Sequence, residues 1–129
     1  LPVCARHTIS VLSYSSLALG LLSGRIGPDR VFSGDDQRKD NPRFSTANRQ
    51  KVAGLMAEIA PIVASHGATP AQIVIAWTIR QPGITFALCG ARNPAQAVEN
   101  AGAGRIRLSD DEINTISEAA TRHLTGLDA

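Results

Sequence analysis

The segment Ile84-Thr85-Phe86-Ala87-Leu88-Cys89 is almost continuously apolar and lies between Pro82-Gly83 and Gly90. A short run without alternation, bounded by turn residues, predicts a strand covered on both faces. Helix signals flank it. Upstream, Thr69-Pro70-Ala71-Gln72 places a capping hydroxyl, Pro at the first helical position and a Gln reaching back to the cap amide. Downstream, Asn93-Pro94-Ala95-Gln96 repeats the device with Asn as the cap. A second strand is expected over 8–14, where Ile9 and Val11 alternate with polar residues. Strands separated by helices imply a parallel sheet and an α/β fold. Two parallel strands cannot form a sheet covered on both faces, so the chain reads as part of a larger sheet.

The rest of the chain fits this frame. From Arg25 to Arg43 the sequence is polar, with Gly27-Pro28-Asp29 and Ser33-Gly34-Asp35-Asp36 as turn signals. A loop of that length in a compact domain is usually a functional lid or a mobile segment. Helical grammar resumes at Ser45: Val52, Leu55, Met56, Ile59 and Val63 form one apolar stripe. Pro61 lies inside it and is expected to kink or divide the helix. Gly67 ends it. A last helix opens at Ser109-Asp110-Asp111-Glu112 and carries Ile113 and Ile116. The expected order is strand, long loop, helix, helix, strand, helix, helix. The chain opens on Leu1-Pro2 without an initiator Met and reads as cut from something longer.

Composition excludes several classes. With 129 residues, 43% of them hydrophobic and 19% charged, this is an ordinary globular composition, neither disordered nor disulfide-built. The net charge of +2 is too small for an electrostatic nucleic-acid binder. The excess is local: residues 1–50 hold seven basic against four acidic side chains, so anion binding belongs to particular loops. Cys4 and Cys89 have no metal-ligand spacing and read as free thiols, Cys89 as a small buried residue. His7, His66 and His123 are scattered, which suits surface or helix-end roles and gives no metal site. Trp77 lies on an apolar stripe and reads as core. No secretory pattern is visible, and no apolar run approaches the roughly 20 residues of a membrane helix. A cytoplasmic location without membrane contact is expected.

Two segments can carry chemistry. At Gly90-Ala91-Arg92-Asn93-Pro94 a strand ends, an Arg follows and a capped helix begins. Free amides, helix dipole and guanidinium converge there, an arrangement that favours a phosphate. A plain strand-to-helix turn with a solvated Arg fits the same residues. After Tyr14, Ser15, Ser23 and the glycines would let a ligand approach the backbone, with Arg25 to meet its charge. A tight crossover is the alternative.

Taken together the segments resemble the C-terminal part of aldo-keto reductases, nicotinamide-dependent carbonyl reductases built on a (β/α)8 barrel. Tyr14-Ser15-Ser16-Leu17-Ala18-Leu19-Gly20-Leu21-Leu22-Ser23-Gly24-Arg25 is similar to the family's Tyr-Ser-Pro-Leu, two variable residues, Gly-Leu-Leu-Thr-Gly-Lys. Asp36, Arg38 and Asn41-Pro42-Arg43-Phe44 resemble the loop of its longer-loop members. Pro70-Ala71-Gln72 through Ala76-Trp77, and Gly90 through Glu99-Asn100, are similar to its Pro-Ala-Gln…Ala-Trp helix and last cofactor loop. The resemblance implies the last two strand-helix units plus the closing helix of the barrel. It divides the chain into a strand and pyrophosphate segment (1–25), a long cofactor loop (26–44), helices (45–82), a last strand with 2′-phosphate loop and helix (84–108), and a C-terminal helix (109–129).

The resemblance also implies roles. Tyr14 would stack on the nicotinamide. Ser15, Leu17, Gly20, Ser23 and Arg25 would line the pyrophosphate, and Arg38 would close over it. Arg92 and Gln96, beside Gly90, would face the adenosine ribose and its 2′-phosphate, and Glu99 and Asn100 the adenine. Ser16 replaces the usual Pro. Gly90 and Gln96 stand where some members carry basic residues, which leaves Arg92 as the main cation; NADP is expected, with NAD possible. The family's catalytic Asp, Tyr, Lys and His come from the first half of the barrel and have no counterparts here, since the single Tyr is Tyr14 and the lysines, Lys39 and Lys51, lie in the loop and the next helix. The full-length protein is expected to reduce a small aldehyde or ketone, and this chain alone to be inactive. The alternative is a non-catalytic nucleotide-binding or regulatory module on the same fold. Nucleic acid is not expected as a partner, because Thr69–Cys89 holds one basic residue, Arg80. Open strand edges predict self-association of the isolated chain.

Overall fold

The computed structural model describes residues 1–127; the last two residues of the segment expected over 109–129 lie outside them. The chain is α/β and mostly helical. Strands β1 (Leu12–Ser13) and β2 (Phe86–Ala87) pair in parallel, Leu12 opposite Phe86 and Ser13 opposite Ala87. The amides of Thr85 and Phe86 donate to the Val11 carbonyl, that of Leu88 to Ser13, and the Val11 amide donates to the Thr85 hydroxyl at 3.0 Å.

Both strands are far shorter than the expected 8–14 and 84–89. Among the described residues each has only the other as neighbour, so the ladder stops where the second partner would be needed. The apolar run is not covered on both faces either. Ala87 and Cys89 share a small hollow with Ile75 and Ala97, while Leu12, Phe86 and Leu88 are each about half exposed. A short helix that sequence patterning missed, α1 (Pro2–Arg6), precedes β1.

The remaining helices follow their caps. Helix α2 (Thr46–Ser65) starts at Ser45, whose hydroxyl accepts from the Asn48 amide. It buries Val52, Leu55 and Ile59, with Met56 and Val63 packed alongside. Pro61 does not divide it. The proline is exposed, and Ile59 before it and Ile62 and Val63 after it share one core, which keeps both halves in one helix despite the lost amide. Gly67 follows with φ +55°, the left-handed conformation expected of it.

Helix α3 (Pro70–Ile79) carries the full reciprocal cap of Thr69 and Gln72 and is buried nearly all round. At α4 (Pro94–Gly102) Asn93 caps the Gln96 amide, but the Gln96 side chain accepts from the Arg92 amide instead of reaching back to the cap. Helix α5 (Asp110–Leu124) has the Ser109–Glu112 box, acidic residues in its first turn and Arg122 and His123 in its last.

Leu55, Ile59, Ile73, Ala76, Leu108, Ile116 and Ala119 form the main core between α2, α3 and α5. Leu21, Phe44 and Val52 form a smaller one that seats the segment after β1 on α2. Trp77 packs against the main core and donates to the Ser117 hydroxyl at 2.9 Å. The histidines sit at helix ends: His7 and His66 as C-caps, His66 against Glu112, and His123 against Glu58. Among the described residues no helix is long and apolar enough to cross a membrane, and no cluster of metal-ligating side chains occurs. Cys4 and Cys89 are unpaired and half-buried, and burial raises the Cys89 thiol pKa.

Candidate cofactor site

A cleft of about 880 Å³ opens beside the parallel strand pair. Its walls come from two distant stretches, residues 14–38 and 88–100, joined at their base by Ala71 in the first turn of α3. Parallel pairing of β1 and β2 puts both stretches at the carboxyl ends of adjacent strands, where an α/β sheet places its ligands.

The first wall is held in an unusual backbone. Ser15, Ala18 and Leu19 adopt positive φ of 57°, 48° and 56°, and Gly20 and Gly24 follow at 91° and 74°. Left-handed non-glycine residues cost energy and cluster where a site over-determines the chain. The 3₁₀ segment Ala18–Ser23 closes this wall, with the Ser23 hydroxyl donating to the Gly20 carbonyl at 2.6 Å. Gly24 is required twice over: its φ is left-handed, and a Cβ there would lie 2.7 Å from the Pro70 ring. That contact seats the segment on the N-terminus of α3.

Glu99 ties the second wall to the first. One carboxylate oxygen accepts from Arg25 at 2.6 Å and the other from Thr69 Oγ1 at 2.8 Å, while its backbone carbonyl accepts from Gln72 at 2.9 Å. Asn100 donates to the Gly90 carbonyl at 3.1 Å and fixes the turn after β2. Nothing lies within 4 Å of where a Gly90 Cβ would stand, so the backbone there is open to a ligand.

The cations differ in state. Arg38 grips Asp36 with two nitrogens, at 2.8 and 2.5 Å, and its guanidinium lies 4.8 Å from the Phe32 ring centroid. That side-chain bond, seconded by the Arg38 amide, lowers the Asp36 pKa to about 2, and the Arg92 charge contributes from across the cleft. Arg25 is paired with Glu99. The Arg92 guanidinium has no hydrogen-bond or ion-pair partner among the described residues.

Every residue given a cofactor role from the sequence lines this cleft: Tyr14, Ser15, Leu17, Gly20, Ser23, Arg25 and Arg38 on one side, and Gly90, Arg92, Gln96, Glu99 and Asn100 on the other, while Asp36, Asn93 and Pro94 lie outside its lining. Tyr14 is 85% exposed, its ring free of the core. Sequence reasoning missed Arg30 and Gln37 in the loop and Leu88 and Cys89 at the end of β2. The first two carried a usable signal, since polar residues flank Arg38 in the long loop. The other two read as buried strand.

A parallel strand pair with a cleft at its carboxyl ends is the ligand-binding arrangement of α/β proteins. The family model described as Aldo/keto reductase family matches residues 1–121, and the chain belongs to that family. It is 34% identical over 120 residues to the NADH-specific methylglyoxal reductase of Escherichia coli, covering 93% of this chain and 36% of that protein. It is 32% identical over 117 residues to the Schizosaccharomyces pombe aldo-keto reductase yakc, whose name carries NADP(+), covering 90% of this chain and 34% of that one. Among solved structures it superposes on the glycerol dehydrogenase AKR11B4 from Gluconobacter oxydans with TM-score 0.85 and 29% identity, over 100% of this chain and 39% of that one. The chain thus spans about a third of the length of the relatives it matches.

Proposed function

We propose that this chain is the cofactor-binding C-terminal part of an NADP-dependent aldo-keto reductase that reduces aldehydes or ketones to alcohols. Its strands and helices would be the last two strand-helix units and closing helix of a (β/α)8 barrel. One observation carries the reading: two segments about 74 residues apart in sequence converge on one cleft with left-handed backbone on one wall and an unpaired Arg92 on the other.

The residues present fit such a dinucleotide. Tyr14 offers an exposed aromatic face for the nicotinamide. Ser15, Leu17, Gly20, Ser23 and Arg25 line a pyrophosphate path, with Arg38 above it. Arg92, beside the capped start of α4, suits a 2′-phosphate; Gln96, Glu99 and Asn100 suit the ribose and adenine. When bound, the dinucleotide supplies a hydride to a carbonyl carbon. The chain's own part is to bind and orient it. A proton donor beside the carbonyl oxygen is also required, and a tyrosine serves near neutral pH when a lysine lowers its pKa. Tyr14 has no lysine near it in sequence, so this chain by itself is expected to show no NADPH-dependent reduction of a nitrobenzaldehyde above background.

Calorimetry of the purified chain with NADPH and NADH tests the reading. Tighter NADPH binding is expected; absence of binding to either would refute the site, and equal affinities would refute the 2′-phosphate preference.

A further inference from the structure

Arg49 is a basic residue that the cleft does not need and the core should not tolerate. It projects from the first turns of α2 and is 8% exposed. One guanidinium nitrogen donates to the Gly27 carbonyl at 3.1 Å and to the Arg30 carbonyl at 2.6 Å, and the other to the Thr46 hydroxyl at 3.3 Å. Its guanidinium carbon lies 5.7 Å from the Phe32 ring centroid, against the same ring that Arg38 covers. Phe32 in turn meets Phe44 edge-on at 5.6 Å. Gly27 and Arg30 are the ends of one tight turn, closed by the Arg30 amide donating to the Gly27 carbonyl at 3.2 Å. A single buried side chain therefore holds both ends of the turn from which the polar loop departs.

The grip is costly for stability. Among the described residues no carboxylate pairs with Arg49, and its Nε finds no hydrogen-bond partner. A buried cation satisfied by carbonyls and an aromatic ring is a poor stabiliser compared with an apolar chain of the same length. What the arrangement does achieve is geometric. The loop carrying Arg30, Gln37 and Arg38 into the cleft is anchored before any ligand arrives. A ligand meeting an already ordered loop does not meet the cost of ordering it.

We propose that Arg49 is a positioning residue for the nucleotide: it clamps the 27–30 turn, presents Arg30 and Arg38 to the cleft, and sets dinucleotide affinity without touching the dinucleotide. The affinity half rests on the cofactor reading above; the clamp does not.

The test compares the whole 129-residue chain with Arg49→Met and Arg49→Lys. Hydrogen exchange read by mass spectrometry should show amides in 27–39 exchanging at least tenfold faster in Arg49→Met, with α3 and α5 unchanged. NADPH titration should show binding at least fivefold weaker, through faster dissociation. Arg49→Lys, which keeps the charge but not the fork, should fall between. The melting temperature of Arg49→Met should not drop, a result a merely structural arginine would not give. Unchanged loop exchange in Arg49→Met overturns the clamp. Unchanged affinity with a loosened loop overturns the positioning role. A collapse of melting temperature with exchange raised throughout makes Arg49 an ordinary core residue and overturns both. If the wild-type chain binds no NADPH, the cofactor reading falls with the affinity half, and the exchange data alone decide the clamp.

Discussion

Arg92 and Arg38 face the same cleft as cations, one paired with a carboxylate and the other not, and the difference has measurable consequences. Arg38 is already satisfied by Asp36, so a ligand that takes it must displace a carboxylate. Arg92 has no such competitor. Replacing Arg92 with Ala should therefore weaken ligands bearing a 2′-phosphate more than NAD, by ~1–3 kcal/mol for a lost charged hydrogen bond; equal weakening in calorimetry would show that Arg92 does not read that phosphate. The Asp36 pair carries a pH signature. Its pKa falls from 3.8 to about 2, so the ionised carboxylate favours the folded loop above about pH 4, and that contribution fades as pH drops toward 2. The carboxyl carbon of Asp36, followed by NMR, should titrate near the lower value; a midpoint near 4 would mean the pair does not persist in solution. The cleft residues named from the sequence were legible because each lies in a contiguous motif, which Arg30, Gln37, Leu88 and Cys89 do not share. Arg49 was not, because its partner carbonyls lie 22 and 19 residues away and no local pattern joins them.

Helices α2 and α5 show why some elements could be read and others could not. Caps are short-range chemistry: the hydroxyls of Ser45, Thr69 and Ser109 and the Asn93 amide oxygen each sit three residues before the amide they satisfy, and the caps at Thr69, Asn93 and Ser109 were visible in sequence. Strand length is not local. It depends on a neighbour on each side, and the apolar run at 84–89 cannot report whether that neighbour is present. The pairing of α2 with α5 also escapes the sequence. Glu58 meets Arg122 and His123, which hold its carboxyl below the usual range, and the His123 ring lies where a Gly54 Cβ would stand, 2.7 Å from Cε1. Gly54 is a notch in α2 that receives this ring. Gly54→Ala gains helix propensity and yet should destabilise the chain by about 1–3 kcal/mol, since a packed ring must move. Urea unfolding gives the sign, and stabilisation would show that the ring rotates away freely.

At the scale of the molecule, the strand pair leaves one apolar face open. Leu12, Phe86 and Leu88 lie together with Tyr14 beyond them, all substantially exposed, and among the described residues each strand has an unpaired edge. A second copy laid over this face would cover both. Light scattering at micromolar concentration should show dimers or larger species, and Phe86→Glu should return a monomer. A clean wild-type monomer would mean that this surface is tolerated in water.

The parallel pairing of β1 with β2 also sets an order of events. The partners are separated by 74 residues, and between them lie α2 and α3, whose caps and stripe make them fast local folders. Closing so long a loop for so few hydrogen bonds is favourable only after those helices have docked, so the strands join late. The cleft exists only once they have joined, because its two walls belong to the two strand ends. Binding at the proposed nucleotide site should therefore appear with the slowest folding phase of the chain, while helical signal is already complete.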